Sequence, residues 1–378
     1  MTGEMPMKAA VIGGGFAGRT HVKALRAIGV EPEVVITYHK EKAERFAEEL
    51  AIPHWSAAET DGYEAAFAPE IDAVHICTPP VSHGRIAKEM LSHGKHLLCE
   101  KPVSLDAKEA AELAAAAENS GLVTAVTFNV RFHMAMQRAR EILSSGVLGR
   151  PLLIHGSYLQ EFHALPAPPD WRYDPALGGS MRAVTEIGTH WIDLAQYLTG
   201  LPVIAVSSQF AGFWKERVIR DGLMYPAGAE QTAEITGAGS SAAMHVESED
   251  AAVLNLRFGS GAIGAVVLSE ISPGRGNRLA IEITCENGNL WWNEEENNIL
   301  YTARKGDGIR SELFAFGNGF GDTFETLLEK FYASVKARKD GSQEAAPDLP
   351  TFTEGASVSA VCAAAKASAD RDGIWIPV

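Results

Sequence analysis

The chain has 378 residues, 46% hydrophobic and 21% charged, with a formal net charge of −15 at pH 7. That length exceeds what one core usually supports, so two domains are expected, and the composition excludes a disordered or fibrous class. The acidic balance, without any Lys/Arg-rich block, excludes a phosphate-backbone partner and points to a small ligand. The N-terminal stretch, Met1 to Lys8, lacks the basic and apolar regions of a secretory signal. No run approaches the roughly 18 apolar residues of a membrane span, which reads as a cytoplasmic protein. The scattered Cys77, Cys99, Cys285 and Cys362 read as reduced, structural thiols.

Residues Lys8 to Ile12 form a short apolar run followed at once by Gly13-Gly14-Gly15-Phe16-Ala17-Gly18, which opens a helical pattern through Leu25 and Ile28. This is G-x-G-x-x-G between a strand and a helix. Gly13 makes the tight turn, Gly15 admits a pyrophosphate to the backbone, and Gly18 lets helix and strand pack, with the phosphates on the helix N-terminus. The next strand, Glu33 to Thr37, should end in an acid if the ribose hydroxyls of NAD are to be held by a carboxylate. Thr37-Tyr38-His39-Lys40 stands there instead, and its hydroxyl and cation lean towards the extra phosphate of NADP.

The alternation continues through a helix at about 40 to 50, a strand near His54-Trp55, and the strand Asp72 to Thr78, which Pro79-Pro80 ends. Val81-Ser82-His83 starts the next helix; His83 faces the cofactor or is a polar cap. The run His96-Leu97-Leu98-Cys99 then stops at Glu100-Lys101-Pro102. It reads as a buried strand delivering Lys101 to the carboxyl edge of a parallel sheet, where ligands bind, with a surface lysine as the alternative. A helix from about Asp106 to Ser120 and a sixth strand, Leu122 to Phe128, complete a doubly wound α/β sheet of the Rossmann, dinucleotide-binding kind over residues 1–128.

From Asn129 the pattern changes. After one helix and Gly149-Arg150-Pro151, β-patterned segments dominate: Leu152 to Leu159, Val203 to Gln209, Val253 to Phe258, Ile263 to Leu268, Leu279 to Thr284 and Asn289 to Trp292, several joined by hairpin turns. Residues 129–378 are therefore expected to form an α+β substrate-binding and oligomerisation domain on a large, mainly antiparallel open sheet, its end (about 350–378) packing back towards the first domain. The aromatics near Trp291-Trp292 make subunit pairing a plausible cover for the open face. The Pro-rich loop Leu165 to Pro175 and the stretch Gly212 to Gly237 read as long connections, and the Gly/Ser/Ala stretch 237–243 as too short for a linker.

One segment stands apart. Along Thr185 to Leu198, Glu186, His190 and Asp193 fall at spacings of four and three and so share one helix face. An imidazole near neutral pKa with a carboxylate to orient it makes an acid/base site; a solvated amphipathic helix is the bland alternative. A metal pair finds no further Cys/His ligands, so no metal is expected.

Taken in this order, Gly13 to Gly18, Thr78-Pro79-Pro80 with His83, Glu100-Lys101-Pro102, Asn129-x-Arg131-Phe132, Asp170-Trp171-Arg172 and Gly188-x-His190-x-x-Asp193 resemble the Gfo/Idh/MocA oxidoreductases, relatives of glucose–fructose oxidoreductase and inositol dehydrogenase. The resemblance covers essentially the whole chain. It implies hydride transfer between nicotinamide and a hydroxyl-bearing carbon of a sugar, glycoside or polyol, with NAD or NADP as cofactor, in a homodimer or homotetramer formed through the open sheet.

It also implies that Lys101 and His190 are the catalytic pair and that Pro102 follows a cis peptide. The cofactor would lie against Gly13, Gly15, Phe16, Ala17, Gly18, Thr37, Tyr38, His39, Lys40, Thr78, Pro79, His83, Glu100, Lys101 and Asn129. The substrate would meet Lys101, Arg131, Trp171, Arg172, Glu186 and His190. The family commonly has Asp where this chain has Glu186, one methylene longer. In the resulting scheme His190 takes the hydroxyl proton, Lys101 steadies charge on that oxygen, Glu186 orients, and Asp193 is supporting or structural. Relatives suggest two alternatives: redox-neutral glycoside cleavage with tightly held NAD, and a non-catalytic sensor of nucleotide or sugar.

Overall fold

The computed structural model describes residues 6–227, 243–317, 319–342, 346 and 348–378. Residues 1–5, the start of the stretch Met1 to Lys8, and 228–242, with the end of the connection 212–237 and nearly all of the stretch 237–243, lie outside the described residues. The chain divides into two units: Met1–Phe132 with Gly319–Ser359, and His133–Asn318 with Ala360–Val378.

In the first unit six parallel strands, β1 (Lys8–Ile12), β2 (Glu31–Thr37), β3 (His54–Ala57), β4 (Ala73–Ile76), β5 (His96–Cys99) and β6 (Thr124–Val126), lie in the order β3-β2-β1-β4-β5-β6. Helices cover both faces, which is why β1, β4 and β5 are near-continuous apolar runs. The strand order reverses beside β1, between β2 and β4, and the crevice above that point is where doubly wound sheets take ligands.

The core is completed from far down the chain. Helix Phe320–Lys339 buries Phe324, Leu327, Leu328, Phe331, Tyr332 and Val335 in the same cluster as Val11, Leu25 and Leu98. Each such apolar side chain stabilises by about 1.5–3 kcal/mol on burial, and Leu327→Ala would cost about 2–5 kcal/mol.

The second unit is built on a nine-stranded sheet. Its members are β7 (Pro151–Leu159), β8 (Val203–Ala211), β12 (Ala251–Phe258), β13 (Ile263–Ser269), β14 (Arg278–Cys285), β15 (Gly288–Asn293), β16 (Ile299–Arg304), β17 (Ile309–Leu313) and β18 (Ile376–Pro377). Their order is β17-β16-β15-β14-β7-β13-β12-β8-β18, and only the β7/β13 pair is parallel. Alternation sets the faces: Ala252, Leu254, Leu256 and Phe258 of β12 are buried, while Val253 on the same strand faces out.

The helix Thr189–Thr199 lies on the covered face. Its Trp191 donates from Nε1 to Ala280 O at 3.0 Å. Gly156 of β7 makes that approach possible, since a Cβ there would stand 2.8 Å from Trp191 Nε1 and 1.9 Å from Ala280 O.

The expected connection from Gly212 instead carries β9 (Glu216–Arg220) and β10 (Leu223–Ala227), which with β11 (Ala243–His245) form a small antiparallel sheet. Strands of three to five residues, one of them holding Pro226, are too short to show an alternation a sequence reading can use. Trp292, expected near a subunit contact, is 1% exposed and donates to Asn297 O inside the unit.

Candidate active site

The glycine turn of the first unit is shaped by contacts a side chain would not survive. Gly13 has φ +123°, and a Cβ on it would stand 2.4 Å from Cys77 O; one on Gly18 would stand 2.1 Å from Gly13 O. Gly15 differs, because nothing lies within 4 Å of where its Cβ would be. Gly15 is the N-cap of helix Phe16–Ala27, makes no side-chain cap, and no acid occupies the first turn. Backbone N–H groups at an uncapped helix start are an anion site, and the space over Gly15 fits a pyrophosphate. Phe16 and Ala17 begin this helix, with Phe16 77% exposed.

At the end of β2, Thr37 is buried and donates from Oγ1 to His39 O at 2.8 Å, while Tyr38 is exposed. The acid absent from this strand is present from another element. Glu59, on the short helix Ala58–Asp61 after β3, meets His39 Nδ1 at 2.9 Å through one oxygen and accepts the Lys40 N–H at 3.1 Å through the other. The hydrogen bond with His39 holds the Glu59 carboxyl below its ordinary range. Lys40 Nζ lies 5.8 Å from the Trp55 ring centre.

Lys101 follows β5, half-buried, and its bond to Pro102 is cis. Two side chains fasten this corner. His83, fully buried, sets Nδ1 2.7 Å from Pro102 O and Nε2 2.8 Å from Thr78 O, tying the ends of β5 and β4 together. Burial lowers its pKa against those two carbonyls, which favour the protonated ring. With both ring nitrogens spent on main chain, His83 acts on the loop. Thr78 Oγ1 accepts from Ser82, and Pro79 starts the turn into the helix.

Glu100 faces inward as well. Its Oε1 is 3.1 Å from His21 Nε2, and its Oε2 accepts from Thr127 Oγ1 at 2.8 Å and from the Lys101 N–H at 3.3 Å. Burial raises the Glu100 carboxyl, but the His21 hydrogen bond, electrostatic attraction to the His21 ring and to Lys101, and the Thr127 hydroxyl outweigh it and leave it at about 2. Asn129 is buried and donates to Thr323 Oγ1 at 2.9 Å; buried Arg131 pairs with Glu354 Oε1 at 2.7 Å.

In the second unit a π-turn, Val184–Gly188, precedes helix Thr189–Thr199, where a single helix was expected. A π-turn takes more residues than an α-turn, so Glu186 and His190 remain about one turn apart. Both are half-buried, whereas Asp193 is 2% exposed. Glu186 Oε2 accepts from Arg172 Nε at 2.9 Å; Arg172 Nη1 also reaches both oxygens of Asp170, and its guanidinium lies 4.5 Å from the Trp171 ring centre. Burial works to lower the Arg172 pKa, and the two carboxylates overcome it and raise it. The Tyr158 ring stands 6.4 Å, edge-on, from the His190 ring.

Beneath the turn lies a buried charge cluster that sequence reasoning missed. Glu249 accepts the N–H groups of Arg182 (3.0 and 3.1 Å) and Val184 (2.9 Å), capping the π-turn. Arg182 donates to Glu270 Oε2 at 2.7 Å and to Asp250. Burial dominates at Glu270 and pushes it up to about 7 despite Arg182. The only signal was the placing of Glu249-Asp250 before β12 and Glu270 after β13, acids abutting buried strands. Among the described residues no group of three or more His, Cys, Asp or Glu is arranged to hold a metal, and no helix is long and apolar enough to cross a membrane.

Comparison with known proteins extends this picture. The profile described as the oxidoreductase family with an NAD-binding Rossmann fold matches residues 7–128, and that of the GFO/IDH/MocA C-terminal domain matches residues 136–291. Levoglucosan dehydrogenase of Pseudarthrobacter phenanthrenivorans is 29% identical over 401 residues, covering 97% of each chain. Myo-inositol 2-dehydrogenase of Thermotoga maritima is 26% identical, covering 88% of this chain and 89% of its own. A solved levoglucosan dehydrogenase in complex with NADH and levoglucosan has a TM-score of 0.84 at 26% identity over 99% of this chain and 100% of its own. Both halves of the chain thus carry the marks of one family: the protein belongs to the Gfo/Idh/MocA oxidoreductases, with an NAD-binding Rossmann domain at its N-terminal end.

Proposed function

We propose that this protein is a nicotinamide-dependent dehydrogenase acting on a hydroxyl-bearing carbon of a sugar or polyol, with Lys101 and His190 as its catalytic residues. The observation that carries the reading is the corner at Lys101: the lysine leaves β5 at the carboxyl edge of the same sheet that presents the uncapped glycine turn. The turn at Gly13, Gly15 and Gly18 would hold the pyrophosphate, with Phe16 and Ala17 opening the helix above it. When bound, the nicotinamide accepts or donates the hydride. The His190 imidazole takes the proton from the substrate hydroxyl, and the Lys101 ammonium stabilises the charge left on that oxygen. Glu186, steadied by Arg172, orients the imidazole or a neighbouring hydroxyl; Trp171 completes the substrate's surroundings, whereas Arg131, 2% exposed and paired with Glu354, is not proposed to touch the substrate.

The missing acid after Thr37 leans towards NADP, but Glu59 brings a carboxylate to that turn, where it repels a 2′-phosphate. NAD is therefore the cofactor proposed. Leu153, Val253, Ile263 and Val267 are exposed on neighbouring strands of the open sheet face, which suits a homodimer or homotetramer formed there. A reducing cytoplasm suits the four buried, unbridged cysteines.

Fluorescence titration with NADH and NADPH, followed by a panel including levoglucosan and myo-inositol, tests the reading. NADH is expected to bind tighter by about tenfold or more, with turnover on at least one polyhydroxylated compound. Tighter NADPH binding overturns the cofactor choice, and NADH binding without turnover on any sugar or polyol overturns the activity.

A further inference from the structure

The corner that carries Lys101 rests on a line of buried polar groups that the proposed reaction does not use. The Tyr332 hydroxyl lies 2.8 Å from His75 Nε2, His75 Nδ1 lies 2.6 Å from His21 Nδ1, and His21 Nε2 lies 3.1 Å from Glu100 Oε1. The other Glu100 oxygen takes the Lys101 N–H and the Thr127 hydroxyl. His21 and His75 are fully buried and Tyr332 is 2% exposed. Phe324 stands edge-on against His21, and Phe331 edge-on against His75. A histidine at the centre of β4, where its neighbours are Val74 and Ile76, is an expensive residue unless both ring nitrogens are satisfied.

Counting hydrogens gives the line a direction. A carboxylate only accepts, so His21 Nε2 carries a hydrogen. A neutral His21 then presents a bare Nδ1, which His75 must meet with Nδ1–H. A neutral His75 is left with a bare Nε2, which takes the Tyr332 hydroxyl hydrogen. Each donor meets one acceptor, and the only net charge on the line is the Glu100 carboxylate. With both rings neutral, the reverse direction would set a bare His21 Nε2 against that carboxylate; an imidazolium at His21 would donate both ways and turn His75 to the Nε2–H tautomer, adding a second buried charge to the line. Burial lowers the His75 pKa and raises that of Tyr332, keeping the ring neutral and the phenol protonated.

We propose that Tyr332, His75, His21 and Glu100 form a one-directional positioning relay that fixes the main chain at Lys101, so that the lysine is aligned from a helix about 230 residues further along the chain. The proposal rests on the reading of Lys101 as the charge-stabilising group. These are positioning residues: Tyr332, His75 and His21 act on Glu100, and Glu100 acts on the lysine backbone. Hydrogen-bonded chains polarise one another in a low-dielectric interior, and a misplacement of about 1 Å at a reacting group can cost about 100-fold in rate.

The test is nitrogen-15 NMR of histidine-labelled full-length protein at neutral pH, with His21 and His75 assigned by single substitution. His21 is expected as the Nε2–H tautomer and His75 as the Nδ1–H tautomer. Glu100→Gln, whose amide can donate to His21, is expected to reverse both tautomers, a change that simple packing does not produce. In Tyr332→Phe, which removes one oxygen, kcat on levoglucosan or myo-inositol is expected to fall about 10-fold or more while the Kd for NADH stays within about twofold. An imidazolium at His21, the same tautomer in both rings, unchanged tautomers in Glu100→Gln, or an unchanged kcat in Tyr332→Phe overturns the relay. Undiminished turnover in Lys101→Ala instead overturns the catalytic reading, and the tautomers still report on the line itself.

Discussion

Glu100 in the first unit and Glu270 in the second are both carboxylates surrounded by protein, and their pKa values move apart. Burial is the largest influence on each, and it raises both. At Glu100, whose side chain keeps 19% exposure, His21, Lys101 and Thr127 overcome burial and bring the group to about 2. At Glu270, 1% exposed, Arg182 is offset by the neighbouring Glu186 and Glu249, and the group rises to about 7. The first unit therefore makes its site from backbone geometry with one firmly ionised acid beneath it. The second holds its site on a cluster of opposed charges in which Arg182 is shared between Asp250 and Glu270. A site of the first kind tolerates little change in shape, and one of the second kind little change in charge.

The largest effect should come from the groups placed on the reacting oxygen. Lys101→Ala and His190→Ala are each expected to lower kcat by about 10²–10³ with the fold intact, the cost of losing one preorganised charge-stabilising or proton-transferring group. Steady-state rates with circular dichroism as a control decide this, and near-normal turnover in both breaks the assignment. Arg172→Ala tests the charge-balanced side: it leaves Glu186 without the guanidinium at 2.9 Å and should cost about 1.5–3 kcal/mol in kcat/KM. Dinucleotide affinity should stay unchanged, so a matching loss in NADH binding would contradict the division of labour. Gly18→Ala tests the shape-limited side. Its Cβ would meet Gly13 O at 2.1 Å, so about 1–3 kcal/mol of stability and most of the NADH affinity should go together.

The most gradual effect is in the pH dependence of unfolding, where the two carboxylates pull in opposite senses. Glu270 binds its proton more tightly folded than unfolded. Its contribution is therefore complete below about 4.5 and is lost as pH rises towards 7, with a slope of at most about 1.4 kcal/mol per pH unit. Glu100 contributes above about 4.5 and loses that contribution as pH falls towards 2. Denaturant titrations between pH 4.5 and 7 should show the fall in wild type and a flatter line in Glu270→Gln; equal slopes would remove Glu270 as the source.

The contrast between the units also explains what could be read in advance. The glycine turn, the six parallel strands and the lysine at the end of β5 are local signals, each contained within a few residues, and they follow the chain order of the sheet. Six strands of the larger sheet were visible through their alternation. β16, β17 and β18 were not: β17 is exposed throughout and has no buried face to alternate against, and β18 has only two residues. Glu59, His21, His75 and Tyr332 acquire meaning only when distant segments meet: the carboxylate absent after Thr37 arrives from beyond β3, and an isolated histidine in an apolar strand looks like any core residue. The π-turn under Glu186 was hidden for the same reason, because its cap, Glu249, lies 65 residues from Val184.

The late helix of the first unit bears on how the protein comes off the ribosome. About 200 residues separate Phe132 from Val335, whose helix fills the core beside Leu98 and Phe132. At about 5–20 residues per second, a nascent chain waits roughly 10–40 s with that apolar surface uncovered, while His133–Asn318 of the second unit is being made. The first domain in the sequence thus cannot complete its core until synthesis is nearly over, and a chaperone that shields apolar surface during that interval should raise the yield of intact protein more than one acting after release.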